Sequence, residues 1–420
     1  MKLLRHYSFI YLLPLLFIYS AISLFIINNE LGGDQARYLL YAKNLLNGGY
    51  AIDGPLFLWN GPGYPIILSV FVYFDQSIEV LKSLNVLFLF SGIFFFHETC
   101  LNFFNRKKAL LFSYLLGLYY PNVLFSTRYI LSEAFAFFLA CGLLYTINAF
   151  IQKPSKIKLI WASLFLAFLI LTKVVFAYVV FALIGVLLFF MVFKKSRKEI
   201  YRMIIICFLA NVMTLPYLLY TYNLTGIFPY YSNSGGQCVY WLSTPYENEQ
   251  GEWVLASGNS FKNRPQYKNH NAFLSSINEL SPVEKDYALK EKAFENIKDN
   301  PKKFLKNYIS NISRMFVDIP NSYTYQGFSF ILIALPNSFV FVFLFISILL
   351  TILLKNRMSI TILIFACFSV IYLFGSSMLC AYPRMLFPIL PFLFLWIFYM
   401  VNLWKTSDKK LSTTPHKIYA

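Results

Sequence analysis

Charged residues are scarce in this sequence. Only 13% of its 420 residues are Asp, Glu, Lys or Arg, whereas 58% are hydrophobic and 20% are aromatic. A soluble globular protein usually carries about a quarter of charged residues. The shortage therefore excludes an ordinary soluble enzyme, and the long apolar runs predict segments that cross a membrane.

Histidine and cysteine are scarce as well. The chain has four His and six Cys, at spacings that match no zinc or redox motif, and it lacks a Gly-rich phosphate loop. The sequence thus predicts no certain cofactor, although it leaves a divalent metal open. Only Cys238 lies in the longest polar segment, residues 223–327, so we expect no intrachain disulfide there.

The apolar runs show no period-two alternation, which predicts helices rather than strands. Ten of them are long enough to be read as membrane spans: 7–27, 80–99, 109–125, 130–150, 158–172, 174–193, 203–222, 328–354, 359–378 and 383–404. An eleventh run at 64–74 is too short to span and is expected at the interface. The predicted fold class is an all-α polytopic membrane protein.

The net charge of +17 follows the predicted topology. With the N-terminus in the cytoplasm, more than half of the 36 basic residues but only three of the 19 acidic ones fall on the cytoplasmic side. This is the positive-inside distribution. The basicity therefore predicts a cell-membrane protein with both termini in the cytoplasm, and not a nucleic-acid partner.

The spans divide the chain into regions. These are an N-terminal membrane module (1–222) with its first extracytoplasmic loop at 28–79, a large extracytoplasmic loop (223–327), C-terminal membrane helices (328–404) and a cytoplasmic tail (405–420). The first half of the large loop predicts irregular structure with short strands.

The second half of the large loop predicts two helices. Ser281 and Glu284 form a capping box, and Pro301 begins the second helix. The second helix has an apolar stripe that includes Leu305 and Ile309, suited to lie against the membrane or another helix.

The first outer loop begins with "LGGDQARYLLYAKNLLNGG", which predicts a helix from Asp34 to about Leu46, ended by Gly48 and Gly49. The simplest interpretation of Asp34 is an N-cap, which stabilises a helix by about 1 kcal/mol.

Charged side chains near membrane depth are costly, so they are candidates for function. On the outer side these are Asp34, Arg128, Glu133, Lys173 and Arg384, which stand at the ends of spans distant in sequence. Arg37 and Lys43 are further cations on the surface helix that begins at Asp34. Alternatives remain for each one: snorkelling at a helix end for Lys173 and Arg384, and an ion pair between Arg128 and Glu133. Their shared side favours a site for an anionic lipid headgroup.

Six short motifs stand in one order along most of the chain. They are Asp34 with Tyr38 in "DQARYLLYAKNLLNGG"; Pro62, Tyr64 and Pro65; Ser132–Glu133; Tyr222, Asn223 and Gly226; Ala293, Ile297, Asn300 and Pro301; and Arg384, Pro388 and Pro391. Together they resemble the GT-C glycosyltransferases that use polyprenyl-phosphate-linked sugars. The resemblance is to the bacterial branch related to protein O-mannosyltransferases and lipid A aminoarabinose transferases. One departure is Gln35, where such proteins usually have Glu.

The resemblance implies transfer of a sugar from a polyprenyl-phosphate donor to an acceptor hydroxyl on the extracytoplasmic side, with inversion. It implies Asp34 as general base and Glu133 as the group that positions the acceptor or orients Asp34. Donor phosphate binding is then assigned to Arg128, Lys173 and Arg384. Substrate contacts are assigned to Tyr38, Tyr64, Tyr230, Tyr231, Tyr240 and Trp241. The expected partners are the lipid-linked sugar, a glycan, lipid or protein acceptor, and membrane lipids.

Two other functions compete with this interpretation. A polysaccharide polymerase or ligase also handles lipid-linked glycans, but it would place arginine-rich chemistry in a later outer loop. A secondary transporter would show internal repeats and broken helices at the bilayer midplane, and the sequence shows no such repeat.

Overall fold

The computed structural model describes residues 2–25, 31–193, 197–254, 265–323, 327, 330–354, 357–379 and 381–412. Within these ranges the chain forms seventeen α-helices and no strand. They are α1 (Lys2–Phe25), α2 (Asp34–Leu46), α3 (Gly63–Tyr73), α4 (Ile78–Cys100), α5 (Arg106–Gly117), α6 (Tyr120–Arg128), α7 (Glu133–Gln152), α8 (Lys156–Thr172), α9 (Val175–Phe193), α10 (Arg197–Thr225), α11 (Gly235–Leu242), α12 (Lys268–Ser276), α13 (Pro282–Asp299), α14 (Pro301–Val317), α15 (Phe330–Leu354), α16 (Ile360–Ser377) and α17 (Leu390–Ser412).

Seven of the described helices are long and apolar enough to cross a membrane, namely α1, α4, α7, α9, α10, α15 and α16. An eighth crossing results if α5 and α6, which meet at an angle of 53°, form one broken span. The predicted spans at 158–172 and 383–404 fall on α8, of 17 residues, and on α17, whose apolar part is Leu390–Thr406. Neither helix is long enough to be counted among these crossings. The chain is therefore an all-α, multi-pass membrane protein, and the predicted fold class is confirmed.

The third predicted span, 109–125, is not one continuous helix. The structure ends α5 at Gly117 and begins α6 at Tyr120, with Pro121 in its first turn. Proline has no backbone N–H and its ring clashes with the preceding turn, so a helix restarts there more readily than it continues. The bend directs the last residue of α6, Arg128, and the following Tyr129 toward the start of α7.

The membrane helices are packed around α7, most of whose residues are buried. This helix lies between α4 and α8, and α10 packs on α8 and α9. At the C-terminal end, α16 packs on α9, and α17 packs on α15 and α16. Because α7 is central, its N-terminal residue Glu133 lies near the middle of one end of the bundle.

The described parts of the large loop contain the helices α11 to α14 and irregular segments at 226–234 and 243–254, but no strand. The predicted irregular structure is therefore present there, and the predicted short strands are wrong. Residues 235–242 form α11 because they pack on α13: a Cβ on Gly236 would lie 2.2 Å from the carbonyl oxygen of Asp286. The Gly236 N–H donates to the Asp286 carboxylate at 2.6 Å. The capping box of Ser281 and Glu284 is present, and α14 begins at Pro301, so both predictions are confirmed.

Candidate active site

Asp34 is the first residue of α2 but does not cap it. Gly33, at φ 55°, occupies the N-cap position, and no side chain caps the helix. The Asp34 carboxylate instead accepts from Arg37 Nη2 at 2.7 Å and lies 2.8 Å from Arg384 Nη1. The capping interpretation of Asp34 is therefore wrong, because two guanidinium groups bind its two oxygens.

Glu133 is the first residue of α7 and is 1% exposed. Its Oε1 accepts from Lys173 Nζ at 2.9 Å, and Arg384 Nε lies 4.0 Å from the same oxygen. Lys173 stands at the C-cap of α8. A buried carboxylate requires such pairing, because the desolvation of an unpaired charge costs several kcal/mol.

Arg384 joins the two carboxylates. It lies in a 3₁₀ turn, Pro383–Leu386, that precedes α17, and it contacts both Asp34 and Glu133. We call Asp34, Arg37, Glu133, Lys173 and Arg384 the ion cluster. Four of its members were predicted from the sequence, and the structure brings these four together. Three cations face two carboxylates, so the cluster has a net positive charge suited to an anion.

The charge state of Asp34 follows from this geometry. Burial alone would raise the pKa of its carboxyl group, but the guanidinium groups of Arg384 and Arg37 outweigh burial and hold the pKa below its ordinary value. Asp34 is therefore a carboxylate at neutral pH, and it can accept a proton.

A layer of polar side chains supports the ion cluster. Asn60 Oδ1 accepts from Arg37 Nε at 2.7 Å, and Asn60 Nδ2 donates to the Tyr38 hydroxyl at 3.3 Å. The Tyr38 hydroxyl also lies 2.8 Å from Ser132 Oγ, next to Glu133. Gln35 Oε1 accepts from the Ile130 N–H at 3.0 Å. Gln35, at the position where GT-C glycosyltransferases usually have Glu, thus helps to hold α2 against the segment that leads into α7.

Tyr38 and Tyr64 lie beneath the ion cluster and are 2% and 0% exposed. Their rings pack edge to face at 5.3 Å, and the Tyr64 hydroxyl lies 3.4 Å from Asn85 Oδ1. Their burial gives them a supporting role, and their predicted contact with substrate stays a prediction.

The segment "NGPGYP" lies directly on the end of α8. A Cβ on Gly61 would lie 2.0 Å from the Leu171 carbonyl oxygen, and one on Gly63 would lie 2.4 Å from Thr172 Oγ1. Only glycine fits such an approach. The segment therefore fixes the turn that presents Lys173 to Glu133.

A cavity of about 290 Å³ opens beside the ion cluster. Asp34 and Arg384 line one part of it, and Phe125, Tyr129 and Leu131 line another. The cavity therefore combines a charged wall with an apolar wall.

Arg128 lies near this cavity but outside the ion cluster. Its guanidinium carbon lies 5.5 Å from the ring centroid of Tyr129, and its Nε is buried without a hydrogen-bond partner among the described residues. In the part of the chain that the structure describes, Glu133 pairs with Lys173 and Arg384 rather than with Arg128. The alternative of an ion pair between Arg128 and Glu133 is therefore not supported.

The four loop aromatics predicted to stack on sugars are buried. Tyr230, Tyr231, Tyr240 and Trp241 are between 1% and 4% exposed. The Tyr240 hydroxyl lies 2.7 Å from His270 Nδ1, and Tyr231 accepts at its carbonyl from Tyr217. Tyr240 and Trp241 pack inside the large loop, whereas Tyr230 and Tyr231 pack in the core that includes the membrane helices. Their predicted contact with substrate stays a prediction.

Sequence reasoning missed several residues around the site. Arg37 was noted only as a surface cation, and Asn60 was not singled out. Trp59 and Trp253, both partly exposed, lie with ring centroids 6.2 Å apart. The Trp253 carbonyl accepts from Tyr382, two residues before Arg384. Trp59 stands next to Asn60 in the motif "LWNGPGYP", so the motif could have pointed to it. No feature of the sequence around Trp253 indicates that this residue lies near the site.

The side chains of the site suit an anion better than a metal ion. Among the described residues no group of three His, Cys, Asp or Glu side chains comes together. Both carboxylate oxygens of Asp34 and Oε1 of Glu133 are bound by Arg37, Arg384 and Lys173, which leaves only Oε2 of Glu133 without a donor among the described residues.

The solved structures to which this chain is similar include two membrane proteins. The archaeal oligosaccharyltransferase AglB from Archaeoglobus fulgidus, solved with an inhibitory peptide and a dolichol-phosphate, is similar at 10% identity and a TM-score of 0.48 over 97% of this chain. ArnT from Cupriavidus metallidurans, bound to undecaprenyl phosphate, is similar at 15% identity and a TM-score of 0.39, over 97% of this chain and 80% of its own. This chain spans 52% of the AglB chain, about half its length.

No protein-family model matches the chain, and no curated protein matches it. At these identities and TM-scores, neither structural neighbour decides what the chain does.

Proposed function

We propose that this protein is a membrane glycosyltransferase that moves a sugar from a polyprenyl phosphate to an acceptor hydroxyl. The observation that carries the proposal is the contact of Asp34 with Arg384, which in turn reaches Glu133. Three segments far apart in sequence thereby place a carboxylate base and a phosphate-binding cation in one cluster. The sequence motifs that resemble GT-C enzymes contain these same three residues.

The cavity suits a lipid phosphate. Its apolar wall, at Phe125 and Leu131, fits the first units of a polyprenyl chain, and its charged wall, at Arg384, fits the phosphate. Arg128 has an unpartnered buried Nε beside the cavity-lining Tyr129 and is a second phosphate ligand. Lys173 contributes positive charge to the same place.

The reaction needs one base and one anion stabiliser. Asp34 takes the proton of the acceptor hydroxyl while the acceptor oxygen attacks the anomeric carbon of the sugar. The bond from that carbon to the phosphate oxygen breaks, and the configuration inverts. A polyprenyl phosphate is a good leaving group that needs no protonation, so positive charge from Arg384 is sufficient to stabilise it.

Donor binding also changes the basicity of the Asp34 carboxylate. A phosphate at Arg384 competes with Asp34 for the same guanidinium group, which weakens the pairing that holds the pKa of Asp34 low. Asp34 thus becomes a stronger base once the donor is bound. Glu133 Oε2, buried without a hydrogen-bond donor among the described residues, fits the role of positioning the acceptor.

We place the site on the extracytoplasmic side, with both termini in the cytoplasm. The distribution of basic residues supports this orientation. Cys238 of the large loop is disulfide-bonded, so the expectation of no disulfide there is wrong. That expectation considered pairs within the loop alone, and a loop cysteine can also pair with one at the end of a span. Disulfides persist in oxidising compartments, which supports an outer position for this loop.

The predicted division of the chain is part of the proposal. Helices α10, which ends at Thr225, and α15, which begins at Phe330, bracket the large loop 223–327. The membrane modules 1–222 and 328–404 would then supply the ion cluster, and 405–420 would be the tail.

A deletion strain tests the function. Mass spectrometry of envelope glycans and lipids should show one sugar missing from one product, restored by the wild-type gene and not by the Asp34→Asn variant. An unchanged set of glycans and glycolipids in the deletion strain would refute the proposal.

A further inference from the structure

Helix α14 buries its polar face against the protein and exposes its apolar face. Lys303, Asn307 and Arg314, spaced on one face, are 6%, 0% and 1% exposed. Each donates to a backbone carbonyl of the large loop: Lys303 to Glu249 at 2.5 Å, Asn307 to Leu242 at 2.9 Å, and Arg314 to Gln250 at 2.9 Å. The polar face therefore holds the loop.

The opposite face presents large apolar side chains. Leu305 and Ile309, one helical turn apart, are each 58% exposed. A water-soluble helix has the reverse arrangement, with its apolar stripe toward the protein. Removing a Leu or Ile side chain from water is worth about 1.5–3 kcal/mol, so this face favours an apolar surrounding.

The exposed stripe is continuous with the surface of the membrane helices. The Tyr308 ring lies 5.5 Å from Phe374 on α16, and Phe374 and Val370 of that helix are 55% and 45% exposed. Toward its C-terminal end, Phe316 packs on Phe341 of α15 at 5.1 Å. One apolar surface thus extends from two membrane helices onto α14.

Two lysines border the exposed stripe. Lys302 and Lys306 are exposed and lie, by helical spacing, between the buried polar face and the apolar face. Lysines at such positions extend their charged ends to anionic lipid phosphates while their stems remain on apolar surface. A protein partner would not require this border of positive charge.

We propose that α14 lies in the interface of the bilayer, with Leu305 and Ile309 among the acyl chains and Lys302 and Lys306 at the lipid phosphates. The lipid bilayer is the occupant of this face. The buried face of α14 binds backbone carbonyls of the large loop as far as Gln250. The depth of α14 in the membrane therefore sets the position of the following residues, which include Trp253, the partner of Tyr382. This inference does not depend on the proposed glycosyl transfer.

Spin labels on the full chain test the proposal. Leu305→Cys, Ile309→Cys and Glu295→Cys are each labelled in nanodiscs that contain phosphatidylglycerol. Glu295 on α13, whose side chain is 63% exposed, is the matched site on the same loop. The unsubstituted protein, labelled in parallel, measures the background from the native thiols.

Collisions with oxygen and with a water-soluble nickel chelate are then compared. The labels at 305 and 309 should collide several-fold more with oxygen, relative to nickel, than the label at 295. Equal nickel access at all three sites would show water and overturn the proposal. Low access to both reagents at 305 and 309 would show a protein partner and overturn it as well. The two labelled sites report independently if one variant fails to fold.

Discussion

At the scale of single residues, the charge of Asp34 is set by neighbours on different parts of the chain. Arg37 comes from the same helix, one turn away, and Arg384 comes from the turn before the last membrane helix. Within the ion cluster, Arg384 is the one cation that reaches both carboxylates. Arg37 can therefore be changed to alter the base without changing the link to Glu133.

The Arg37→Gln variant should shift the acid limb of the pH–rate profile. The base works only when Asp34 is deprotonated, and Arg37 helps to hold its pKa low. Loss of Arg37 raises that pKa, so activity at the acid side should be lost at a higher pH than in the wild type. Lys43→Gln, which removes an exposed charge from the same helix, is the control. An acid limb that does not move in Arg37→Gln would contradict the assignment.

Lys173→Met should destabilise the protein. It leaves the buried Glu133 with only the more distant Arg384, and removal of one partner from a buried pair costs about 3–5 kcal/mol. The expected result is a lower Tm in thermal unfolding of the detergent-solubilised protein. The double variant with Glu133→Gln removes the buried charge and should regain most of the loss. A double variant no more stable than the single one would show that packing, not charge, explains the effect.

Asp34, Glu133, Lys173 and Arg384 could be predicted from the sequence because charged groups at the ends of membrane spans are rare. The sequence did not predict the supporting layer, because Asn60 and Trp253 are ordinary loop residues whose partners are set by tertiary structure. The capping role of Asp34 was inferred from its neighbours in sequence. It was wrong because the carboxylate pairs with Arg384, which is distant in sequence.

At the scale of elements, the order and type of the membrane helices could be read from the apolar runs. The bend between α5 and α6 could not, because the run continues through Pro121. The large loop was harder still: its glycines and aromatics suggest strands, but the packing of α11 on α13 makes that segment helical.

Gly63→Ala tests how α3 positions the end of α8. The added Cβ would lie 2.4 Å from Thr172 Oγ1 and 2.7 Å from the Thr172 backbone nitrogen, and overpacking of this kind costs about 1–3 kcal/mol. Both Tm and transfer activity should fall, since Lys173 follows directly.

Gly185→Ala is the matched control. It lies within a membrane helix and meets nothing within 4 Å, so it should leave activity and Tm unchanged or raise Tm slightly. Equal behaviour of the two variants would argue against a positioning role for the "NGPGYP" segment.

At the scale of the whole molecule, the bundle brings span ends from both halves of the chain to one surface. The positive-inside distribution predicts that this surface is extracytoplasmic. The orientation can be measured at two exposed positions that the positive-inside distribution places on opposite sides of the membrane.

In intact cells, Glu247→Cys should react with a membrane-impermeant maleimide, and Lys107→Cys should react only after the cells are opened. Both positions are exposed, so access depends on the side of the membrane. The reverse pattern would place the ion cluster in the cytoplasm and contradict the orientation.

If the Asp34 carboxylate is the base of glycosyl transfer, as we claim, the transfer rate of Asp34→Asn will show it. The assay uses membranes that contain the lipid-linked donor, and Asp53→Asn, an exposed acid in the same loop, is the control. We predict a loss of about 10²–10⁴-fold for Asp34→Asn, the usual contribution of a general base, and a normal rate for Asp53→Asn. A near-normal rate in Asp34→Asn would contradict the claim.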